Sequence, residues 1–423
     1  MKSESAQRID DDKTQALREN GASGMFREAE TLNYQGREEE ALVVYDELAR
    51  RFGDDERAAV RKWVAAALHS KGATLNHLGR AQEALIVYDE LTRQFGHDKT
   101  RALRMQVASG LYDKGTILSC LERGEEALAV FDELIRQFGD DDTLQVREQV
   151  ASGLLNKGTT LNLLLGRNEE ALVVYDELIR RYGDDETPAV RAVVASGLHN
   201  KGTSLWHLKR GEEALVVYDE LIRRFGDDRV PAVREQVAKG LFGKAAAFGL
   251  LERDEEELVV YDELIRRFGD DEMPEVREQT SSGLYNKGTA LTRLERGEEA
   301  LAVFDDLVQR FGDDETPEVR ERVAEALATA CFVHNRRWRE SKSQSELVAA
   351  VAKGRAGVAL GGSSYNLACA LALAGDIDEA LGLLDACLRS GEVSWTDVRG
   401  DRDWSVATDS RQYVRLEKEH RGK

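Results

Sequence analysis

Apolar residues recur along the chain at the three- and four-residue spacing of amphipathic helices, and the whole pattern then repeats. Aligned on an aromatic residue followed by Asp, the repeats show Tyr45, Tyr88, Phe131, Tyr175, Tyr218, Tyr261 and Phe304, spaced 43 residues apart except for one interval of 44. Each aromatic sits in a run such as ALVVYDELIRRFG, whose apolar stripe predicts a helix of about 15 residues. Eight residues after each aromatic stands a Gly: Gly53, Gly96, Gly139, Gly183, Gly226, Gly269 and Gly312. The spacing predicts a helix end there, with Gly left-handed and the preceding Arg residues facing the helix dipole.

A longer helix follows. Pro188, Pro231, Pro274 and Pro317, the four prolines of the chain, are 43 residues apart and lie five residues past those Gly. Proline fits the first helical turn, where its missing N–H would have had no partner. Thr187 and Thr316 just before it are expected N-caps, and the acidic GDDE run sits near the positive helix end. A helix of about 20 residues and a turn such as KRGEE complete a helical hairpin. The 44-residue interval arises in LNLLLGRNEEAL, and its extra residue is expected in the turn, where both helix registers survive. One hairpin cannot bury its apolar face alone and stacked hairpins can, so the expected fold is all-α, an α-solenoid.

Four residues before the aromatic stands Ala41, Ala84, Ala127, Ala171, Ala214 or Ala300, with Leu258 read as the counterpart in the sixth unit. Twelve or thirteen residues earlier, on the long helix, comes a small residue: Ala29, Gly72, Gly115, Gly158, Gly202, Ala245 or Gly288. This order, small residue on helix A and then Ala and an aromatic on helix B, resembles the tetratricopeptide repeat. The unit from Ser364 to Gly391, SYNLACALALAGDIDEALGLLDACLRSG, is the best match, and the longer units look like those of kinesin light chains. The resemblance implies a right-handed superhelix of stacked hairpins. The expected organisation is an N-terminal tail over 1–13, seven repeats over 14–315, a degenerate repeat and linker over 316–361, a terminal repeat over 362–391 and a C-terminal cap over 392–423, with Trp395 and Trp404 covering the last hairpin.

Charge narrows the function classes. A formal net charge of -20 repels phosphate backbones and anionic membranes, which argues against general nucleic-acid binding and against a membrane partner. With no signal-like N-terminus and no long apolar run, a cytoplasmic location is expected. Cys120, Cys331, Cys369 and Cys387 form no C-x-x-C pair, so neither zinc nor a disulfide framework is indicated. No nucleotide-binding, hydrolase or metalloprotease motif is present, and the chain is read as non-enzymatic, with no cofactor and no metal.

Two repeated charged features admit two readings each. The acidic loops could form a cation ladder, or serve helix N-termini and solubility. The repeated Lys (Lys71, Lys114, Lys157, Lys201, Lys244, Lys287) could supply a cationic row for a ligand. Helical phase favours a structural pair with the repeated Asp (Asp46, Asp89, Asp132, Asp176, Asp219, Asp262, Asp305).

Helix B hardly changes between units, whereas helix A varies on one face. The resemblance assigns that face to the concave groove. Its variable residues are Phe26, His69, Tyr112, Leu155, His199, Phe242 and Tyr285, followed by Arg27, Asp113, Asn156, Asn200 and Asn286, and one turn on by Asn76, Asn162 and Trp206. Aromatic edges and Asn amides suit an extended peptide, and peptide-binding members of the family carry Asn at the place of Asn156, Asn200 and Asn286. The leading expectation is a scaffold holding a peptide or protein segment in this groove. The alternative is a sensor or regulatory subunit of a signalling or defence system that binds a small ligand or gates a separate enzyme.

Overall fold

The structure, a computed structural model, describes residues 2–420, with side chains from residue 16. Among these residues there is no strand. The chain divides into two compact units, Met1–Arg210 and Gly211–Lys423. The first holds α1 (Lys2–Tyr34), α2 (Glu38–Phe52), α3 (Ala58–His77), α4 (Ala81–Phe95), α5 (Arg101–Cys120), α6 (Gly124–Phe138), α7 (Leu144–Thr159), α8 (Asn168–Tyr182) and α9 (Pro188–His207). The second holds α10 (Gly211–Phe225), α11 (Pro231–Leu250), α12 (Asp254–Phe268), α13 (Pro274–Arg293), α14 (Gly297–Phe311), α15 (Pro317–Ser341), α16 (Gln344–Ala359), α17 (Tyr365–Ala374), α18 (Ile377–Ser390), α19 (Trp395–Gly400) and α20 (Arg411–His420). Odd numbers up to α17 are A helices and even numbers up to α18 are B helices. The first helix reaches back to Lys2, through the segment expected as a tail.

Each aromatic of the repeat is a core anchor: Tyr45, Tyr88, Phe131 and Tyr175 in the first unit, and Tyr218, Tyr261 and Phe304 in the second, are at most 2% exposed. The small residues of the A helices make room for them. A Cβ at Gly115 would stand 2.5 Å from the Phe131 ring, and five residues earlier a Cβ at Gly110 would stand 2.6 Å from Leu91. Glycine therefore lets α5 lie close to the B helix on either side, α4 before it and α6 after it.

Charged side chains then fix each repeat to the next. Asp98 Oδ1 accepts the Thr100 backbone N–H at 2.7 Å, while its Oδ2 accepts Arg61 from the preceding A helix at 2.6 Å. Asp141 joins Thr143 and Arg104 in the same way, and Asp314 joins Thr316 and Arg277. Hydrogen bonds from Thr100, with Arg61 beyond them, hold the Asp98 carboxyl below the usual carboxylate range. Thr187 and Thr316 do occupy N-cap positions, but their hydroxyls make no capping bond. The carboxylate two residues earlier, Asp185 or Asp314, takes the threonine N–H instead. The repeated Lys and Asp are structural pairs: Lys157 Nζ lies 2.5 Å from Asp132, Lys201 2.6 Å from Asp176, Lys244 2.6 Å from Asp219 and Lys287 2.5 Å from Asp262.

The glycines that end the B helices behave differently from the expectation. Gly53, Gly96, Gly139, Gly183, Gly269 and Gly312 keep right-handed backbone. What they supply is space: a Cβ at Gly96 would stand 2.5 Å from the Thr92 carbonyl oxygen. The Gly53 carbonyl meanwhile accepts Gln94 Nε2 of the next repeat at 2.7 Å. The left-handed residue lies in the turn between helices A and B. There Gly36, Gly79 and Gly166 have φ of 72°, 75° and 65°, and the same place in other repeats is held by Glu122, Lys209, Glu252 and Glu295 at 57° to 63°. A side chain at such φ costs roughly 1 kcal/mol. Glu122→Gly or Glu295→Gly is therefore expected to add about 0.5 kcal/mol once the flexibility of glycine in the unfolded chain is counted. A raised urea midpoint with unchanged slope would show it.

Two further expectations are corrected. The extra residue of the fourth repeat lies inside the helix, as a π-turn over Thr160–Leu164 at the end of α7. The Arg167 N–H closes this turn on the Leu161 carbonyl at 2.7 Å. Leu164 and Leu165 pack against Gly124 of the preceding B helix, so the end of the hairpin is pinned and the helix absorbs the slack. In the sixth repeat Glu257, not Leu258, takes the place of the repeated Ala. It is 6% exposed and bonds Arg293 at 2.9 Å, with Gly249 leaving room for its carboxylate.

At the C-terminal end Trp395, Trp404 and Tyr413 pack on Leu367 and Leu371 of α17 and on Leu381 and Leu384 of α18. A half-buried polar network runs beneath them. Arg339 Nη1 donates to Asp403 at 2.9 Å, the Tyr365 hydroxyl donates to Asp401 at 2.9 Å, and Trp404 Nε1 donates to the Tyr365 oxygen at 3.2 Å.

Candidate interaction surface on the A helices

The variable residues lie on A helices that pack side by side within each unit, α1 on α3, α3 on α5, α5 on α7 and α7 on α9 in the first, and α11 on α13 and α13 on α15 in the second. Their side chains touch across those junctions. In the first unit the half-buried Phe26 ring lies 5.5 Å from Trp63 and 6.4 Å from Tyr45, while Arg27 and Asn76 are exposed. His69 Nε2 lies 3.0 Å from Asp113 Oδ2, which also accepts the Tyr88 hydroxyl at 3.3 Å. Burial first, and Asp113 second, push the Tyr88 phenol above its usual range.

The asparagines form a ladder. Thr116 and Thr159 each donate their hydroxyl proton to the carbonyl four residues earlier on their own helix, and Ser204 does likewise. Those hydroxyls can then only accept, which fixes the facing amides nitrogen-first. Asn156 Nδ2 reaches Thr116 at 3.2 Å and the Tyr112 hydroxyl at 3.4 Å. Asn200 Nδ2 reaches Thr159 at 3.3 Å, and Asn162 Nδ2 reaches Ser204 at 2.8 Å. Asn33 joins the same ladder, donating to Thr74 at 2.9 Å and Tyr45 at 3.0 Å. His199 is half-buried, and Trp206, 37% exposed, meets His207 edge-on at 5.1 Å.

In the second unit Phe242 meets Tyr261 edge-on at 6.2 Å, and Tyr285 lies 6.4 Å from Phe304. The Arg322 guanidinium stands 5.7 Å from the Tyr285 ring. The Tyr261 phenol is pushed above its usual range by burial first and by Glu257 second. The face is therefore aromatic in both units, and the amides of the first unit are tied to neighbouring repeats. Sequence reasoning passed over Trp63, although it left a signal: the equivalent places hold Asn20, Gln106, Gln149, Val193, Gln236 and Gln279.

Among the described residues the groups with metal-ligating spacing, Cys369 with Asp401 and Asp403 and Asp385 with Glu419 and His420, lie on α17 and α18 and the segments after them. Arg339 and Tyr365 already engage the first group. No described helix is long and apolar enough to cross a membrane.

No family model and no curated protein matches this sequence. Solved structures do match. The apo form of RapI is 10% identical over 95% of this chain and 98% of its own, with a TM-score of 0.53. The chain is an all-helical repeat protein, consistent with tetratricopeptide-like repeats. A tetratricopeptide repeat protein from Parabacteroides merdae is similar at 13% identity over 72% of this chain and 98% of its own, with a TM-score of 0.40. A designed armadillo repeat protein is similar at 18% identity over 57% of this chain and 98% of its own, with a TM-score of 0.37. At such identities the likeness is one of fold, and the repeat protein's function rests on its own side chains.

Proposed function

We propose that this repeat protein is a non-enzymatic interaction scaffold that holds an extended peptide or protein segment against its A helices. The observation that carries the reading is the division of labour between the helices. B helices, loops and Lys–Asp pairs repeat almost unchanged and hold the stack together. The A-helix face changes from repeat to repeat and offers aromatic rings beside amides. Asn156 spends both Nδ2 protons on neighbouring hydroxyls and Asn162 and Asn200 spend one each, and all three keep the carbonyl oxygen as an acceptor for a partner. A row of acceptors beside Tyr112 suits the backbone N–H groups of an extended chain.

The test is capture of partners from a native lysate by the full chain and by an Asn156→Ala, Asn200→Ala, Asn286→Ala variant. Asn156→Ala and Asn200→Ala each also remove a bond between repeats worth about 1 kcal/mol, so retained helicity and a single melting transition are checked first. Recovery of the specific partner is expected to fall about tenfold or more. Equal recovery would remove the groove, and a small molecule found in place of any protein would move the function to the regulatory class.

A further inference from the structure

The B helices leave one aliphatic residue per repeat in solvent. In the first unit Val43, Ile86 and Val173 are 67%, 67% and 68% exposed; in the second, Val216 and Val259 are 68% and 65% exposed. Ala129 and Ala302 hold the same place in the remaining copies. The position is never polar in seven repeats, although an exposed helical site gives Val and Ile poorer helix propensity than Glu, Lys or Gln.

Its surroundings are acidic. One helical turn to either side of Val43 stand Glu39, Glu40, Asp46 and Glu47, and around Val173 stand Glu169, Glu170, Asp176 and Glu177. Cations are present too. Asp46 is 61% exposed against 19% for its partner Lys71, and Glu125 is 72% exposed against 36% for Arg167, whereas Arg50 is 72% exposed against 42% for Glu47. Carboxylates are thus the outer partner in the pairs that join repeats, and Arg50 is the outer partner at the end of α2. Between α2 and α4 the surface opens into a crevice of about 300 Å³, lined by Leu42, Leu75 and Val87 with Val43 and Ile86, and by three carboxylates, Glu39, Asp46 and Glu83, against two cations, Lys71 and Arg80.

We propose that this B-helix face of the first unit is a second docking surface, for a cationic amphipathic helix of another protein. Aliphatic side chains of that helix cover Val43, Ile86 and Val173, and its Lys or Arg side chains meet the outward carboxylates. Charge decides the occupant. A second copy of this chain brings the same carboxylate rows and a net charge of -20, and anionic lipid or nucleic acid is repelled likewise. A cationic chain without aliphatic residues leaves the valine row in water.

The experiment measures binding of the full chain to two synthetic helical peptides of about 18 residues. One has Leu on one face and Lys on the other; the companion has Ser for every Leu. The Leu/Lys peptide is expected to bind at least about tenfold more tightly at physiological salt. A V43S/I86S/V173S variant, which keeps the net charge, is expected to lose most of that difference, and V43E/I86E/V173E the same. The three sites are exposed, so both variants are expected to keep the wild-type melting temperature. Equal affinity for the two peptides, undiminished binding by the serine variant, or sedimentation showing that Val43, Ile86 and Val173 are needed for self-association would each overturn the proposal.

Discussion

Replacing Gly115 with valine is expected to destabilise the first unit by about 3 kcal/mol. A Cβ there would lie 2.5 Å from Phe131 Cε1 and 2.8 Å from Cζ, well inside van der Waals contact. Phe131 has no room to retreat, since it is fully buried, as are Leu134 on its own helix and Ala108 on α5. The helices must therefore move apart, which also loosens the approach of Gly110 to Leu91 on the other side of α5. Stability in a stacked array is shared between neighbours, so the loss is expected to be largest in α5 and α6 and to fade along the stack. Hydrogen exchange resolves this where a single melting temperature does not. Ala73→Val, at an exposed site on α3, is the control and is expected to change stability by less than about 0.5 kcal/mol. Adding Phe131→Leu to Gly115→Val is expected to recover part of the loss by shortening the obstructing side chain. If Gly115→Val melts with wild-type protection in α5, the close-approach account of the repeated glycine is wrong.

The second large effect is on pH dependence, and it arises at the C-terminal end of the second unit. Burial, reinforced by the neighbouring Asp401, raises the Asp403 carboxyl to about 6 even though Arg339 pulls it down. The folded state therefore binds a proton more tightly than the unfolded chain does. Stability from this group is complete below the ordinary carboxylate value and is lost as pH rises through about 6. Acidification from pH 7.5 to 5 is expected to stabilise the Trp395–Trp404 cluster by about 1.4 kcal/mol. Other carboxylates act in the opposite direction at lower pH. Asp55, held at about 2 chiefly by its hydrogen bonds from Arg57, stabilises the first unit above the ordinary carboxylate range and loses that effect as pH falls toward 2. Tryptophan fluorescence during urea unfolding at several pH values separates the two. Asp403→Asn, which has no titration, is expected to flatten the dependence between pH 5 and 7.5 while leaving the acid limb in place. A stability profile for Asp403→Asn that keeps its slope in that window would assign the effect elsewhere.

Much of the framework was legible because it repeats. A 43-residue period, four prolines in the same phase and an aromatic in every copy leave few ways to pack, and helical phase favoured the Lys–Asp pairing over a cationic row for a ligand. Single-residue geometry was less legible. The Gly after each B helix signalled a helix end correctly but not its conformation, because Gly satisfies both a left-handed backbone and a need for empty space, and the sequence does not say which. Glu122, Lys209, Glu252 and Glu295 hide the true left-handed position, since a turn tightly held by its two helices tolerates a side chain there. The π-turn of α7 was read as a longer loop because an insertion can be absorbed wherever packing is weakest, and here Leu164 and Leu165 anchor the turn on Gly124.

The candidate surface divides in the same manner. That the A-helix face varies while the rest does not can be read from the letters, and so can its aromatic and amide character. How those side chains are spent cannot. Asn156 and Asn200 pair with hydroxyls of the preceding repeat, His69 pairs with Asp113, and Trp63 joins Phe26 only when α3 is laid beside α1. Sequence by itself determined the hairpin, its period and the identity of the face that differs from repeat to repeat, because those depend on contacts within one unit and on a pattern copied seven times. Tertiary structure alone decided which polar atoms remain for a partner and which aliphatic residues stay in water, because both depend on what the neighbouring repeat covers.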